Sequence, residues 1–320
     1  MKAVEPKEVV EPVRVDEIRL QIQNAVYYFD DVQKVRIATG NRICSIYRQG
    51  LDAEDAEKAK EDFLKQLHSE YLRITDYYAD KMKSKGRLTT ALGKVAGLKW
   101  IKSKNDLDLI DNYETLCEAE EKASKAMTYA VQQHPMWNLF FKNAKGCGPS
   151  IAGKLIAGLD VHKARHVSSF WSYCGVGTRV NENGERVAMT KRNTTTCTYI
   201  DKNGNEKTRR SLGYSPELQS LVTSVFVTSV LKVGKGSVYW ECYYDYKNRY
   251  SNRSDLKGAS KLRIHRMACR QVAKALLRDL WVAWRSYEGY TLSQPYEVEY
   301  LGNAPHKYNE AHSRRAQSLY

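Results

Sequence analysis

The sequence predicts a mainly α-helical chain, in which long N-terminal helices precede a second helical domain with a small β-hairpin insert. Apolar residues recur every three or four positions along residues 16–47 and 52–83, which is the spacing of one face of an α-helix. Near residue 146, a glycine turn separates two shorter apolar segments of the same kind. Asn203–Gly204 stands between two short polar segments and is a strong signal for a β-hairpin turn.

The N-terminal half is predicted to form a helical domain over residues 15–134, after a loose tail at residues 1–14. Gly50 ends the first helix, Asp52 can cap the second, and a third helix is expected at about 107–133. The first two helices are apolar on one face and charged on the other. Two antiparallel helices within one chain and a coiled-coil arm that dimerises both account for this pattern. We therefore expect a homo-oligomer formed through the N-terminal helices.

The second domain, residues 135–290, is organised around the stretch 143–160. Gly146 and Gly148 permit a tight turn, and Pro149 suits the first position of the following helix, where its missing N–H is not needed. With apolar helices on both sides, this is the layout of a helix-hairpin-helix unit. The N–H groups of such a turn and of the following helix point at a nucleic-acid phosphate.

Basic and polar side chains surround this turn. The predicted phosphate site consists of Lys142, Lys145, Gly146, Gly148, Ser150 and Lys154. A plain structural turn between two core helices is the alternative interpretation.

Basic residues also crowd the polar segment 181–210 around the predicted hairpin, and three of them are further candidates for DNA contact: Arg192, Arg209 and Arg210. A mobile β-hairpin that orders on DNA and a solvated insert both fit this composition. Aromatic residues within 239–250 either stack on bases or form core or a subunit interface.

The last long helix is expected near residues 262–284, followed by an irregular tail at 291–320. Basic residues recur on one face at spacings of three and four: Arg263, Arg266, Arg270, Lys274 and Arg278. Because no acidic residue interrupts this stripe before Asp279, we expect it to follow DNA phosphates rather than to be only a solvated face.

The net charge of +14 is unevenly distributed, since residues 1–130 sum to −1 and residues 131–320 to +15. A localised excess of this size favours a polyanionic partner such as nucleic acid. The seven cysteines contain no Cys-x-x-Cys pair, which fits a reducing cytosol. No run of eighteen apolar residues and no signal-peptide core occurs, so we expect no membrane partner and a cytoplasmic, nucleoid-associated protein.

Sequence motifs for catalysis are few. His162 and His166 lie four residues apart near Asp160, but no third metal ligand is identifiable, and no metal site is predicted. The chain has no Gly-x-x-x-x-Gly-Lys-Ser/Thr loop and no Gly-x-Ser-x-Gly elbow. We therefore expect no cofactor, and catalytic residues stay unassigned.

Two motifs together resemble the C-terminal domain of transposases of the insertion sequence 110 family. These are Lys145-Gly146-Cys147-Gly148-Pro149-Ser150 and Phe170-Trp171-Ser172-Tyr173-Cys174-Gly175-Val176. That domain is similar in having a Gly-x-Gly-Pro hairpin, an apolar helix and then an aromatic and glycine-containing stretch. The resemblance covers about residues 136–288 and implies DNA binding of the kind used in recombination and transposition.

The chain departs from that family in two respects. The resemblance implies an RNase H-like domain with four acidic metal ligands, whereas residues 1–130 indicate helices and no strand that ends in a catalytic aspartate. The family's nucleophile is a serine followed by glycine, where this chain has Asn183–Gly184. Asparagine cannot form a phosphodiester with DNA. Ser211 and Ser215 are alternative candidates for the nucleophile only if the polar segment 181–210 shifts the alignment of this chain with the family.

The sequence thus predicts a DNA-binding protein related to transposases, without strand-transfer chemistry of its own and with largely sequence-independent recognition. An active transposase or recombinase that uses a serine nucleophile with a partner or RNA is one alternative. An RNA-binding scaffold of a ribonucleoprotein is the other.

Overall fold

The computed structural model describes residues 17–47, 56–82, 87–180, 186–188, 194–202 and 204–293. It confirms the mainly α-helical fold with a small β-hairpin. The helices are α1 (Glu17–Ile46), α2 (Ala56–Asp80), α3 (Leu88–Leu92), α4 (Lys104–Gln133), α5 (Pro149–Gly158), α6 (Val167–Tyr173), α7 (Pro216–Ser220), α8 (Phe226–Val233), α9 (Val238–Ser251) and α10 (Lys261–Tyr287). The predicted tail at 1–14 lies outside the described residues, as does the predicted tail at 291–320 except for its first three residues.

The chain divides into two compact units. The N-terminal unit is Asn24–Met127, and the C-terminal unit combines Thr128–Tyr320 with Met1–Gln23. The beginning of α1 and the end of α4 are thus assigned to the C-terminal unit. The predicted domains, 15–134 and 135–290, stay predictions.

In the N-terminal unit, the apolar faces of α1, α2 and α4 surround one core. Its buried members include Ile43, Phe63, Leu67, Ile74, Ile101 and Ile110. The connection between α2 and α4 contains the short helix α3. Glu70 fixes the rest of this connection, because its buried carboxylate accepts hydrogen bonds from the backbone N–H groups of Lys99, Trp100 and Ile101. Helix α1 contributes Ile43 and Cys44 to this core, and homo-oligomerisation through the N-terminal helices stays a prediction.

The C-terminal unit is built around α10, whose central residues are almost completely buried. Two tryptophans fix neighbouring segments to this helix. Trp281 donates its indole N–H to the carbonyl of Ala164 at 2.8 Å, and Trp171 of α6 donates to the carbonyl of Lys274 at 3.1 Å. The loop before α6 and α6 itself are thereby held against α10.

Two antiparallel β-hairpins lie between α6 and α7. The first pairs β1 (Thr178–Val180) with β2 (Arg186–Ala188), and it was not predicted. The second pairs β3 (Thr194–Ile200) with β4 (Glu206–Leu212), in the register that places Thr198 opposite Thr208. This second pair includes both strand segments that flank the predicted turn, so the hairpin prediction is confirmed.

Membrane-spanning potential is limited to one bent helix pair within the described residues. No single helix there is both long and apolar enough to cross a bilayer. The segments Pro216–Gly236 and Val238–Ser251 meet the length and composition requirement only together, and they are bent by 103° relative to each other.

Candidate nucleic-acid interface

The predicted hairpin is a tight turn between a π-helical turn, Trp137–Phe141, and α5. Sequence analysis predicted an ordinary short helix before the turn. Helix α4 stops at Gln133 because Pro135 follows, and proline cannot continue the helical hydrogen bonds. Within the turn, Cys147 donates its N–H to the carbonyl of Ala144 at 2.8 Å. Its thiol is buried, and burial raises the pKa of Cys147, so this cysteine is a core residue of the turn.

Gly146 is required by the fold. Its φ of +100° lies in the region that side chains rarely adopt. A Cβ atom at this position would lie 2.8 Å from Cγ2 of Val230 and 3.1 Å from its Cα. The turn therefore packs with its backbone directly against α8, and only glycine fits there.

Gly148 has no such requirement. Its φ of −71° and ψ of 174° are open to any residue, and a Cβ atom there would meet no atom within 4 Å. It is exposed and occupies the position before the first residue of α5, where no side chain caps the helix. Among the described residues, no side chain caps the first N–H groups of α5, and the Cβ position of Gly148 opens onto free space.

The polar side chains around the turn differ in exposure. Lys142 and Lys145 are exposed, whereas Ser150 and Lys154 are half-buried. The carbonyl of Lys145 accepts a hydrogen bond of 2.8 Å from the hydroxyl of Ser237, which is buried at the start of α9. The Lys145 Nζ atom lies 3.5 Å from the position that a Cβ atom of Gly236 would occupy. The hairpin thus touches a second glycine turn, Gly234–Gly236.

The basic stripe of α10 is exposed only at its beginning. Arg263 and Arg266 are exposed, but Arg270 donates hydrogen bonds to the buried carbonyls of Gly175, Val176 and Gly177 at 2.9–3.0 Å. Burial lowers the pKa of its guanidinium group. Arg270 therefore stabilises this loop, and we leave it out of the interface.

The last two members of the stripe are also held inside the unit. The Lys274 Nζ atom lies 5.0 Å from the ring centroid of Trp171. Arg278 forms a buried ion pair with Asp279 at 2.9 Å, and Tyr239 donates its hydroxyl to the same carboxylate. The stripe expected to follow phosphates is thus largely internal, because α10 is packed on more sides than its periodicity indicated.

The β3–β4 ribbon presents its described side chains to solvent. Thr198–Ile200 and Glu206–Thr208 are exposed on both faces, and Lys207 pairs with Asp201 at 2.7 Å. Arg209 and Arg210 occupy adjacent positions of β4, opposite Cys197 and Thr196, but their side chains lie outside the described part of the structure. Arg192 lies outside the described residues altogether.

The tyrosine-rich helix α9 is mainly core. Four tyrosines are buried: Tyr239, Tyr243, Tyr246 and Tyr250. Trp240 is half-buried and Tyr244 is exposed, with ring centroids 4.4 Å apart, and the Lys247 Nζ atom lies 5.6 Å from the Tyr244 ring. The core interpretation therefore explains most of this stretch.

Residues considered for catalysis have other partners. His162 is hydrogen-bonded to Tyr290 and His166 to Ser293, while Asp160 pairs with Lys163. Within the described ranges, no three His, Cys, Asp or Glu side chains form a group that could hold a metal ion. The hydroxyl of Ser215 accepts the N–H of Leu218 and caps α7, as its Ser-Pro-Glu sequence predicts. The side chain of Ser211 is not described.

Comparison of the chain with models of known protein families, with curated proteins and with solved structures gave no match. The resemblance to transposases of the insertion sequence 110 family therefore rests on the sequence alone.

Proposed function

We propose that this chain is a DNA-binding protein that holds the phosphate backbone at the turn formed by Lys142–Ser150. One observation carries the proposal. Lys142 and Lys145 are exposed beside a glycine, Gly148, that the fold itself does not require. A glycine without a packing role leaves the backbone N–H groups accessible to a bulky anion, and the adjacent lysines supply the opposite charge.

The charge of the sequence supports a polyanionic partner. The excess of basic residues lies almost entirely after residue 130, in the part of the chain that contains this turn. Contacts to phosphates contain no information about base identity, so binding would be largely independent of sequence. The likeness to transposases supports DNA rather than another polyanion.

Strand-transfer chemistry is not part of the proposal. Ser215, one of the two serines considered as a nucleophile, uses its hydroxyl to cap α7. An active recombinase would form a covalent adduct between a serine and DNA, and such an adduct on any substrate would replace this proposal with the enzyme alternative.

The test is equilibrium binding of the full chain to duplex, single-stranded and four-way-junction DNA and to RNA, over a series of salt concentrations. We expect tight binding to DNA whose log affinity falls steeply with log salt, because each neutralised phosphate releases counterions. Lys145→Gln should weaken binding, whereas Lys163→Gln should not, since the charge of Lys163 is already paired with Asp160. Equal affinity of parent and Lys145→Gln protein would overturn the proposal. Preference for RNA of defined sequence would favour the ribonucleoprotein alternative.

A further inference from the structure

A second glycine turn lies directly against the proposed phosphate-binding turn. It consists of Gly234, Lys235 and Gly236, between α8 and α9. Val230 of α8 contacts Gly146, and the Ser237 hydroxyl at the other end of the turn donates to the Lys145 carbonyl. The two turns are thus joined on both sides, although about ninety residues separate them in the chain.

Four exposed lysines stand on or beside these two turns: Lys142, Lys145, Lys232 and Lys235. Among the described residues, no carboxylate lies within salt-bridge distance of any of the four. Other surface lysines do have acidic partners, such as Lys125 with Glu121 at 2.6 Å and Lys163 with Asp160 at 3.3 Å. Like charges grouped without acids repel each other, and an anion bound between them removes this repulsion.

As in the first turn, one glycine of the second turn is favoured by its backbone conformation and the other is not. Gly234 has a φ of +75°, so its conformation favours glycine. Gly236 has an ordinary φ, and an added Cβ atom would make only van der Waals contact with the Lys145 side chain. Like Gly148, Gly236 is therefore not required by the fold, and its missing side chain leaves the surface of the turn open beside the Lys145 ammonium group.

We propose that Lys235 and the turn Gly234–Gly236 bind a second phosphate, next to the one held by the first turn and on the same strand. This inference rests on the proposed function, because it extends the same site. The assignment to one strand follows from distance. The side chain of Lys145 already touches the second turn, and neighbouring phosphates of one strand are joined by a single nucleotide, whereas phosphates of opposite strands are separated by a groove.

The test measures binding of the full chain to a labelled mixed-sequence oligonucleotide, both single-stranded and as a duplex, over a salt series. The variants are Lys235→Gln, Gly236→Ala and Lys145→Gln, with Lys163→Gln as the matched control lysine of the same unit. Circular dichroism and thermal unfolding establish that each variant is folded. We expect Lys235→Gln to make the slope of log affinity against log salt less steep, by about 0.9 on duplex and about 0.7 on single strands. That change corresponds to a loss of affinity of roughly fivefold to tenfold near 0.1 M salt.

Gly236→Ala should weaken binding without lowering thermal stability, and the control should bind like the parent. If Lys145→Gln weakens binding while Lys235→Gln and Gly236→Ala bind like the parent, the second turn is not part of the site and the proposed function stands. If Lys235→Gln affects the duplex alone, the assignment to one strand is wrong. If none of the variants changes binding, the proposed function and this inference fail together.

Discussion

Two glycines of one turn, Gly146 and Gly148, are present for different physical reasons. Gly146 is fixed by a positive φ and by contact with Val230, whereas Gly148 has an ordinary conformation and open space around it. The sequence pattern does not distinguish the two glycines, since either one permits a tight turn. Their difference allows stability and binding to be separated by single substitutions.

We expect Gly146→Ala to lower the free energy of unfolding by about 2–4 kcal/mol, because a side chain at this position strains the left-handed backbone and overlaps with Val230.

Gly148→Ser should raise the free energy of unfolding by about 0.5–1 kcal/mol, because serine is a good N-cap and restricts the unfolded chain. The same serine should weaken DNA binding, since its hydroxyl occupies the helix N–H groups proposed to meet the phosphate. Urea denaturation and DNA titration measure the two effects. A stabilised Gly148→Ser protein with undiminished affinity would remove Gly148 from the site.

At the scale of elements, the β3–β4 ribbon differs from the helices because its described side chains are exposed on both faces. A two-stranded ribbon alone is only marginally stable in water, and the exposed side chains of this ribbon are accessible to a partner. Seven residues per strand give the ribbon a length of about 23 Å, and the major groove of DNA, about 12 Å wide, admits a two-stranded ribbon. The proposed function therefore gives this element a second point of contact with DNA.

Replacing Thr198–Thr208 with Asn-Gly tests this contact, because Cys197 and Arg209 are paired and a two-residue turn can join them. We expect the melting temperature to change little and duplex affinity to fall. Lys202→Gln with Lys207→Gln is the control that removes charge while keeping the ribbon. An equal loss in both proteins would indicate that Lys202 and Lys207 account for the contact, and no loss in either would favour the solvated-insert interpretation.

For the molecule as a whole, stability in acid depends on carboxylates held by cations and hydrogen-bond donors. Burial alone would raise the pKa of Glu120, but hydrogen bonds from Arg36 and Gln33 outweigh it and hold this pKa below its ordinary value. Asp106 behaves in the same way, since Ser103 and Tyr47 donate to it. A lowered pKa in the folded state stabilises the protein above the pKa of the unfolded chain, about 4.3 for glutamate and 3.9 for aspartate. This contribution is lost as the pH falls further.

Glu120→Gln should therefore lower the free energy of unfolding by about 1–3 kcal/mol at pH 7, where a charge-assisted hydrogen-bond pair is lost. The difference from the parent should shrink as the pH falls below about 4, because the parent carboxylate then becomes protonated as well. Urea unfolding at several pH values measures this, with Glu118→Gln as a control at an exposed position of the same helix. A difference that stays constant with pH would mean that the ion pair with Arg36 does not stabilise the fold.

Much of the architecture was predictable from residue types and from the spacing between near neighbours in the sequence. The long helices follow from apolar residues at intervals of three and four, the start of α5 from Pro149, and the start of α7 from the Ser215 cap. The β3–β4 hairpin follows from the turn signal at Asn203–Gly204. The unpredicted β1–β2 pair has strands of only three residues, which are too short to show an alternating pattern.

The candidate site was less predictable, since it depends on which neighbour covers each basic side chain. Arg270 belongs to the same stripe as Arg263, yet it lies against the carbonyls of Gly175–Gly177, while Arg263 is exposed. Spacing along a helix defines a face but does not identify the segment that packs on that face. The apolar residues between 268 and 280 are not confined to one face of the helix. This was the one signal in the sequence that α10 is buried on more than one side.

The sequence by itself determined the helical fold, the hairpin turn and the concentration of positive charge after residue 130, because these depend on residue type and on spacing between near neighbours. Only the tertiary structure decided which cations stay at the surface and that the turns around Gly146 and Lys235 lie side by side. Their contact joins Lys145 to Ser237, ninety-two residues further along the chain, and no local pattern specifies such a pairing. It arises from the packing of α8 against the turn, where Val230 meets a glycine that has no side chain to keep it away.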